Sequence, residues 1–274
     1  MKRSRMLLLA LLSALLLSIP FFQWGTGLLL MVAFVPLLLV EDEIAKRKFR
    51  RAKKDRKGSV TGYALITFVV FVILTTWWVY FATWTGIVAS VIVNGGYMTL
   101  TFLVFHRVRR KLGDRLGYAS FVVFWLAFEF LYIRAQVNFP WIVLGNGFAN
   151  DVALIQWYEW TGALGGSLWV LVMNVLIFKL VKAWQAKKSS SFRLSFAASR
   201  SRVGWVLAVL LVPMLFSFIR FLSYEEKDEP YEMVVLQPNI DPFEKFGAIS
   251  QADQTALLLE IADSLVTRET DYII

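Results

Sequence analysis

The sequence predicts a mostly α-helical fold: a polytopic bundle of about seven transmembrane helices, followed by the opening strand–helix–strand of an α/β domain. Three observations predict it. The 274 residues are 58% hydrophobic and 16% aromatic, where soluble domains run at about 45–50% apolar. Long apolar runs alternate with short basic blocks, the way orienting charge is placed in membrane proteins. After Leu222 the long runs stop, and two short β-type runs flank an amphipathic stretch.

A helix needs about 20 apolar residues to cross roughly 30 Å of hydrocarbon. Runs of that order occupy residues 6–22, 25–40, 60–81, 86–105, 118–133, 163–181 and 203–222. The first two are short and separated only by Gln23-Trp24, which reads as a tight hairpin. Residues 1–22 also have the outline of a signal peptide. No small-x-small cleavage site follows Leu17, and Pro20-Phe21-Phe22 comes next, which favours a retained helix.

Charge orients the runs. Lys2, Arg3 and Arg5 precede the first, and a block from Lys46 to Lys57 separates the second and third. Further blocks lie at 107–115 and 182–202. The alternate connections, 23–24, 82–85 and 136–162, hold no Lys or Arg. Positive charge stays on the cytoplasmic side, so residues 223–274 are expected outside. The net charge of +9 is thereby an orienting charge, and nucleic acid is not an expected partner.

Residues 223–232 read as a charged linker between a membrane domain, 1–222, and an extracytoplasmic domain beginning at 233. Met233-Val234-Val235-Leu236 is the first strand, and the two prolines of "QPNIDP" enforce a loop. Ser250-x-x-Asp253 is a capping-box start, and Leu257, Ile261 and Leu265, with Leu258 and Ala262, form one helical stripe. "DYII" at 271–274 is a second strand, and about fifty residues cannot supply a full core for this module.

No cysteine is present, which excludes a disulfide, a thiolate metal site and a cysteine nucleophile among these residues. His106, the single histidine, reads as a solvated helix end beside Arg107. One histidine without cysteine makes no metal site, and neither metal nor cofactor is expected.

The richest segment for a site is 125–169, full of Trp, Tyr, Phe, Gly and Asn, with no cation after Arg134. Phe139, Trp141, Tyr158 and Trp160 read as an interfacial aromatic belt, some of them shaping a lipid entrance. Glu129 lies about three turns into the fifth run, where an ionisable group is expensive. It either ties the outer loop to the bundle or lines a headgroup site. Arg134 stands about 140° round the helix from it, a poor partner. Gly162 and Gly166 have the spacing of close helix packing.

Three stretches, "FWLAFEFLYIRAQVNFPWIVLGN", "LIQWYEWTGALGGSLWVLVMN" and "MVVLQPNIDPFEKF", in that order, resemble the bacterial apolipoprotein N-acyltransferases. The resemblance implies a nitrilase-like αββα domain on the outer face of the inner membrane. It implies transfer of an acyl chain from a phospholipid to the cysteine amine of a diacylated apolipoprotein. It also implies a cysteine thioester intermediate, a glutamate base and a lysine supporting the oxyanion. In that pattern the glutamate follows the second strand, which "TDYII" matches. The catalytic glutamate, lysine and cysteine, and a last span, are therefore expected beyond Ile274, and the chain alone is expected to be inactive. Phe246 falls where the family often has a substrate-holding Trp, and it reads equally well as a hydrophobic staple under the loop.

Two other classes stand beside this one. A transporter or channel would show more intramembrane charge and broken helices in repeat positions. A non-catalytic adaptor would not be expected to stop within a strand.

Overall fold

The computed structural model describes residues 1–50, 59–136, 139–187, 194–225, 231–245 and 247–274. The chain divides into two units, Met1–Tyr80 with Trp84–Ser223, and Phe81–Thr83 with Tyr224–Ile274.

Helix α1 (Arg3–Ser18) tightens into a 3-10 turn, Ile19–Phe21, at Pro20. A second 3-10 turn, Gly27–Leu29, is capped by the Thr26 hydroxyl, which accepts from the Leu28 nitrogen at 3.3 Å. Then come α2 (Leu30–Ala33) and α3 (Val35–Arg50), split at Phe34. Pro36 explains the split: it has no N–H to give the Val32 carbonyl, and its ring crowds that oxygen. In lipid, every freed backbone group needs a new partner, and two side chains from flanking helices provide them. Ser13 donates to the Ala33 carbonyl at 2.6 Å and accepts from the Leu37 nitrogen at 3.0 Å. Asn174 accepts from the Phe34 nitrogen at 2.7 Å and donates to the Leu30 carbonyl at 2.6 Å. The second apolar run is thus a broken helix rather than a continuous one.

Helix α4 (Val60–Thr76) starts at a Ser59 cap, and the short α5 (Val79–Ala82) follows. Helix α6 (Trp84–Ile133) spans both the fourth and fifth apolar runs and the basic block between them. It is not straight. Gly113 has φ 80° and ψ −178°, a conformation that side chains other than glycine's rarely tolerate. The Tyr132 hydroxyl donates to Asn94, although 38 residues of straight helix would separate them by about 57 Å. The Phe105 and Phe121 rings are 5.1 Å apart. The two arms of α6 therefore fold back on each other as a hairpin.

Helix α7 (Tyr158–Lys187) starts five residues before the predicted run and turns at Gly162, φ 61°. Helix α8 (Leu194–Leu222) carries Pro213 inside it. Arg3–Phe21, Trp84–Ile133, Tyr158–Gln185 and Ser201–Leu222 are long and apolar enough to cross a membrane, and Val60–Thr76 is apolar but shorter. Buried rings of α4 and α6, with Phe34 at the break between α2 and α3, fill the bundle, and Phe34 meets Trp125 edge-on at 4.8 Å, a favourable aromatic geometry.

One end of the bundle is charged. Glu41 accepts from Arg109 and lies 2.5 Å from His106 Nδ1. Asp42 accepts from Arg109 at 2.7 Å, Lys46 at 2.7 Å and Lys182 at 2.6 Å. His106 is buried, so the expectation of a solvated helix end is corrected: Glu41, 65 residues earlier on α3, holds it inside. Burial would push the Asp42 carboxyl up, but hydrogen bonds from Lys182, Lys46 and Arg109 outweigh it and hold it at about 2.

In the second unit, β1 (Glu232–Val234) pairs in parallel with β2 (Thr270–Ile273). Between them lie α9 (Pro242–Lys245) and α10 (Gln251–Leu265). The Ser250 cap of α10 forms, with its Oγ accepting from the Asp253 nitrogen at 3.2 Å and donating to the Asp253 carboxylate at 2.7 Å. Of the expected stripe on α10, Ala262 is buried and Leu258 and Ile261 are half-buried, whereas Leu257 and Leu265 are exposed.

Candidate functional site

At the end of the bundle away from the Glu41–Asp42 network, the α1–α2 turn, the residues after α4 and the loop 139–157 meet. Asn150 donates to the Phe22 and Gly25 carbonyls, each at 3.0 Å. Asp151 accepts from Thr26 Oγ1 at 2.9 Å and from the Gly27 nitrogen at 2.6 Å, so it caps the same 3-10 turn as Thr26. The Trp78 ring lies 5.8 Å from Trp141 and 6.1 Å from Phe139. Loop 139–157 is thereby bound to the α1–α2 turn on one side and to the end of α4 on the other.

The loop also packs against the start of α7, because two glycines allow it. A Cβ on Gly145 would sit 1.9 Å from the Ala163 carbonyl oxygen, and one on Gly166 would sit 1.7 Å from the Tyr158 hydroxyl. With no side chain at either position, Tyr158 Oη donates to the Gly145 carbonyl at 3.0 Å, and the Gly145 nitrogen donates to Ser167 Oγ at 3.0 Å. Gly166 does serve close packing, but of helix on loop, while a Cβ on Gly162 would meet nothing within 4 Å.

Glu129 is buried beneath this loop. Its Oε1 accepts from Trp125 Nε1 and from the Leu144 nitrogen, both at 3.0 Å. Of the two roles left open for it, the geometry matches the tie between loop and bundle. Arg134 lies over the Phe130 ring, 4.2 Å from its centroid, in keeping with the poor angle to Glu129.

Above these bonds is a 480 Å³ cavity, walled by Phe21, Phe22, Trp141 and Ile155 and edged by Asn146, Asn150 and Tyr158. Its lining carries no charged side chain. Trp141 and Tyr158 are thus brought to one cavity, and Phe139 stands behind Trp141, 6.5 Å away. Trp160 is elsewhere. It packs against Phe216 at 5.7 Å and under the Arg220 guanidinium at 4.7 Å, next to the Glu159–Arg220 ion pair, a clasp between α7 and α8. Phe246 lies outside the described residues. Among the described residues no cluster of His, Cys, Asp and Glu could hold a metal ion.

Sequence reasoning passed over Asn150, Asp151, Ser167 and Asn174. Each is a polar residue in or beside an apolar run, a signal that the cost of unpaired polar groups in lipid makes readable.

Comparison with known proteins follows the same outline. Residues 13–176 match a family model described as the apolipoprotein N-acyltransferase N-terminal domain. The apolipoprotein N-acyltransferase of Chlorobaculum tepidum is 26% identical over 274 residues, covering 97% of this chain and 47% of that protein. That of Geobacter metallireducens is 30% identical over 257 residues, covering 91% and 46%. The chain spans about half the length of these curated relatives. No solved structure matches it.

Proposed function

The chain belongs to the apolipoprotein N-acyltransferase N-terminal domain family, and from that premise we propose that it is the lipid-handling membrane part of an acyltransferase of lipoprotein maturation. The donor is a phospholipid and the acceptor a diacylated apolipoprotein. The chain crosses the inner membrane seven times: α1, the broken α2–α3 pair, α4, the two arms of α6, α7 and α8. The charged end faces the cytoplasm by the rule that places Lys and Arg inside. Residues 223–274 then lie outside, where β1, α10 and β2 open a nitrilase-like domain.

The observation that carries this reading is the 480 Å³ cavity with an uncharged lining, at the end where the α1–α2 turn and the loop 139–157 meet. Apolar walls suit acyl chains, and a few neutral hydrogen-bonding groups suit the ester region, a combination usual for ligand sites. Tyr158, Asn146 and Asn150 supply those groups, Trp141 screens them, and Glu129 fixes the loop that carries Asn146.

Acyl transfer through a thioester needs a cysteine, and these residues hold none. The serines outside the bundle are engaged otherwise. Ser223 Oγ donates to the Arg220 carbonyl at 3.1 Å, Ser264 Oγ to the Ile261 carbonyl at 2.7 Å, and Ser250 is a helix cap. Ser250 Oγ also donates to the Asp253 carboxylate at 2.7 Å, and among the described residues none of the three serines has a histidine or lysine partner to activate it. Incubation of the purified 274-residue chain with acyl-labelled phospholipid should therefore give bound lipid and no covalent acyl-protein. A stable acyl adduct would overturn this reading.

A further inference from the structure

A second cavity, of 390 Å³, opens at the charged end between α1, α3 and α7, lined by Met1, Arg5, Leu9, Asp42, Glu43 and Lys182 among others. Its acids are already matched. Asp42 accepts from Lys182, Lys46 and Arg109, and Glu43 pairs with the Met1 ammonium at 2.6 Å. Arg5 is exposed and has no hydrogen-bond or ion-pair partner among the described residues. The charge left over in the cavity is therefore positive.

Arg5 also heads an apolar track. Leu8, Leu12 and Leu15 follow it at the spacing of one helical face, and they are 66%, 44% and 48% exposed. Leu9 and Leu39 form the adjoining apolar wall of the cavity. A cation at the membrane surface, with an uncovered aliphatic stripe running inward from it, matches a phosphodiester joined to acyl chains. A free phosphate would leave the stripe unused.

We propose that this cavity binds the phosphodiester headgroup of an anionic lipid from the adjoining leaflet, with Arg5 as the main contact and the acyl chains lying along Leu8, Leu12 and Leu15. The site is separate from the neutral cavity at the opposite end of the bundle, and it requires only that the chain is inserted in a bilayer. Its part is to hold α1 against α3 and α7 where the ion network surfaces.

The test is native mass spectrometry of the purified chain loaded with equal amounts of phosphatidylglycerol and phosphatidylcholine of identical acyl chains. The wild type should retain phosphatidylglycerol in preference. Arg5→Ala should lower that retention about five-fold, the value of one basic contact at a membrane surface. Arg5→Lys should keep most of it, and Arg3→Ala, at a neighbouring exposed cation, should leave it unchanged. Millimolar inorganic phosphate should not displace the lipid. Equal retention of the two lipids by the wild type, or equal effects of Arg5→Ala and Arg3→Ala, would overturn the proposal. So would displacement by phosphate, which would make this a free-anion site.

Discussion

The backbone nitrogen of Leu144 donates to Glu129 Oε1 at 3.0 Å, so a carboxylate buried in the second arm of α6 fixes the first residue of a loop turn fifteen positions later. The same oxygen takes the Trp125 indole N–H. Glu129→Ala would leave both donors unpaired, at a cost of about 1–3 kcal/mol. Glu129→Gln keeps an acceptor and should cost less. Thermal unfolding in detergent checks the order, and equal losses in the two variants would mean that the charge rather than the acceptor matters.

Close approach of loop and helix gives a second expectation. Gly166→Ala places a methyl against the Tyr158 ring and the Gly145 backbone, so it should destabilise the protein by about 1–3 kcal/mol as overpacking does. Gly204→Ala is the control. Nothing lies within 4 Å of the new methyl there, and in a helix Ala should be neutral or stabilising by up to about 1 kcal/mol. Comparison of folded yield and unfolding temperature reads both.

Asp42 makes stability depend on acid. Its carboxyl is lowered from an ordinary 3.8 to about 2 in the folded chain. The folded value is the lower one, so the contribution is complete above about pH 4 and is lost as pH falls toward 2. It amounts to about 2 kcal/mol. The difference in unfolding free energy between wild type and Asp42→Asn should therefore shrink from pH 5 to pH 2. A constant difference across that range would contradict the assignment.

How much of this was legible beforehand differs from place to place. The two arms of α6 were legible as separate apolar runs, since hydropathy marks each arm, but the position of the reversal needed the backbone of Gly113. The break at Phe34 was signalled by Pro36, yet Ser13 and Asn174, which make it tolerable, lie on other helices and are joined to it only by folding. His106 was misread for the same reason: Glu41 is 65 residues away. At the site, Trp141 and Tyr158 stood out by type, while Trp160, of the same type, belongs to the α7–α8 clasp. Residue type marked the interface, and only packing separated cavity from clasp.

Topology has its own test. In this cysteine-free chain, single cysteines at Ser59 and at Ser223 should differ in labelling of intact cells. An impermeant maleimide should reach position 223 and not position 59. The reverse pattern would invert the bundle.

In a protein that joins this segment to a complete catalytic half, Trp141→Ala should reduce acyl transfer more than it reduces folded yield. Trp160→Ala should reduce the two together, because its contacts are to Phe216 and Arg220. Equal losses in both variants would leave Trp141 as an interfacial residue only.

That the neutral cavity at the aromatic end receives phospholipid is tested most directly by photolabelling. The chain is reconstituted in bilayers with a phospholipid bearing a diazirine near its ester, illuminated, digested and mapped by mass spectrometry. The account predicts adducts concentrated on Trp141, Tyr158 and the neighbouring Phe21-Phe22 wall, lost when Gly145→Leu fills the loop contact beneath them. Labelling spread evenly along the exposed face of α8, with no excess at those residues, would contradict it.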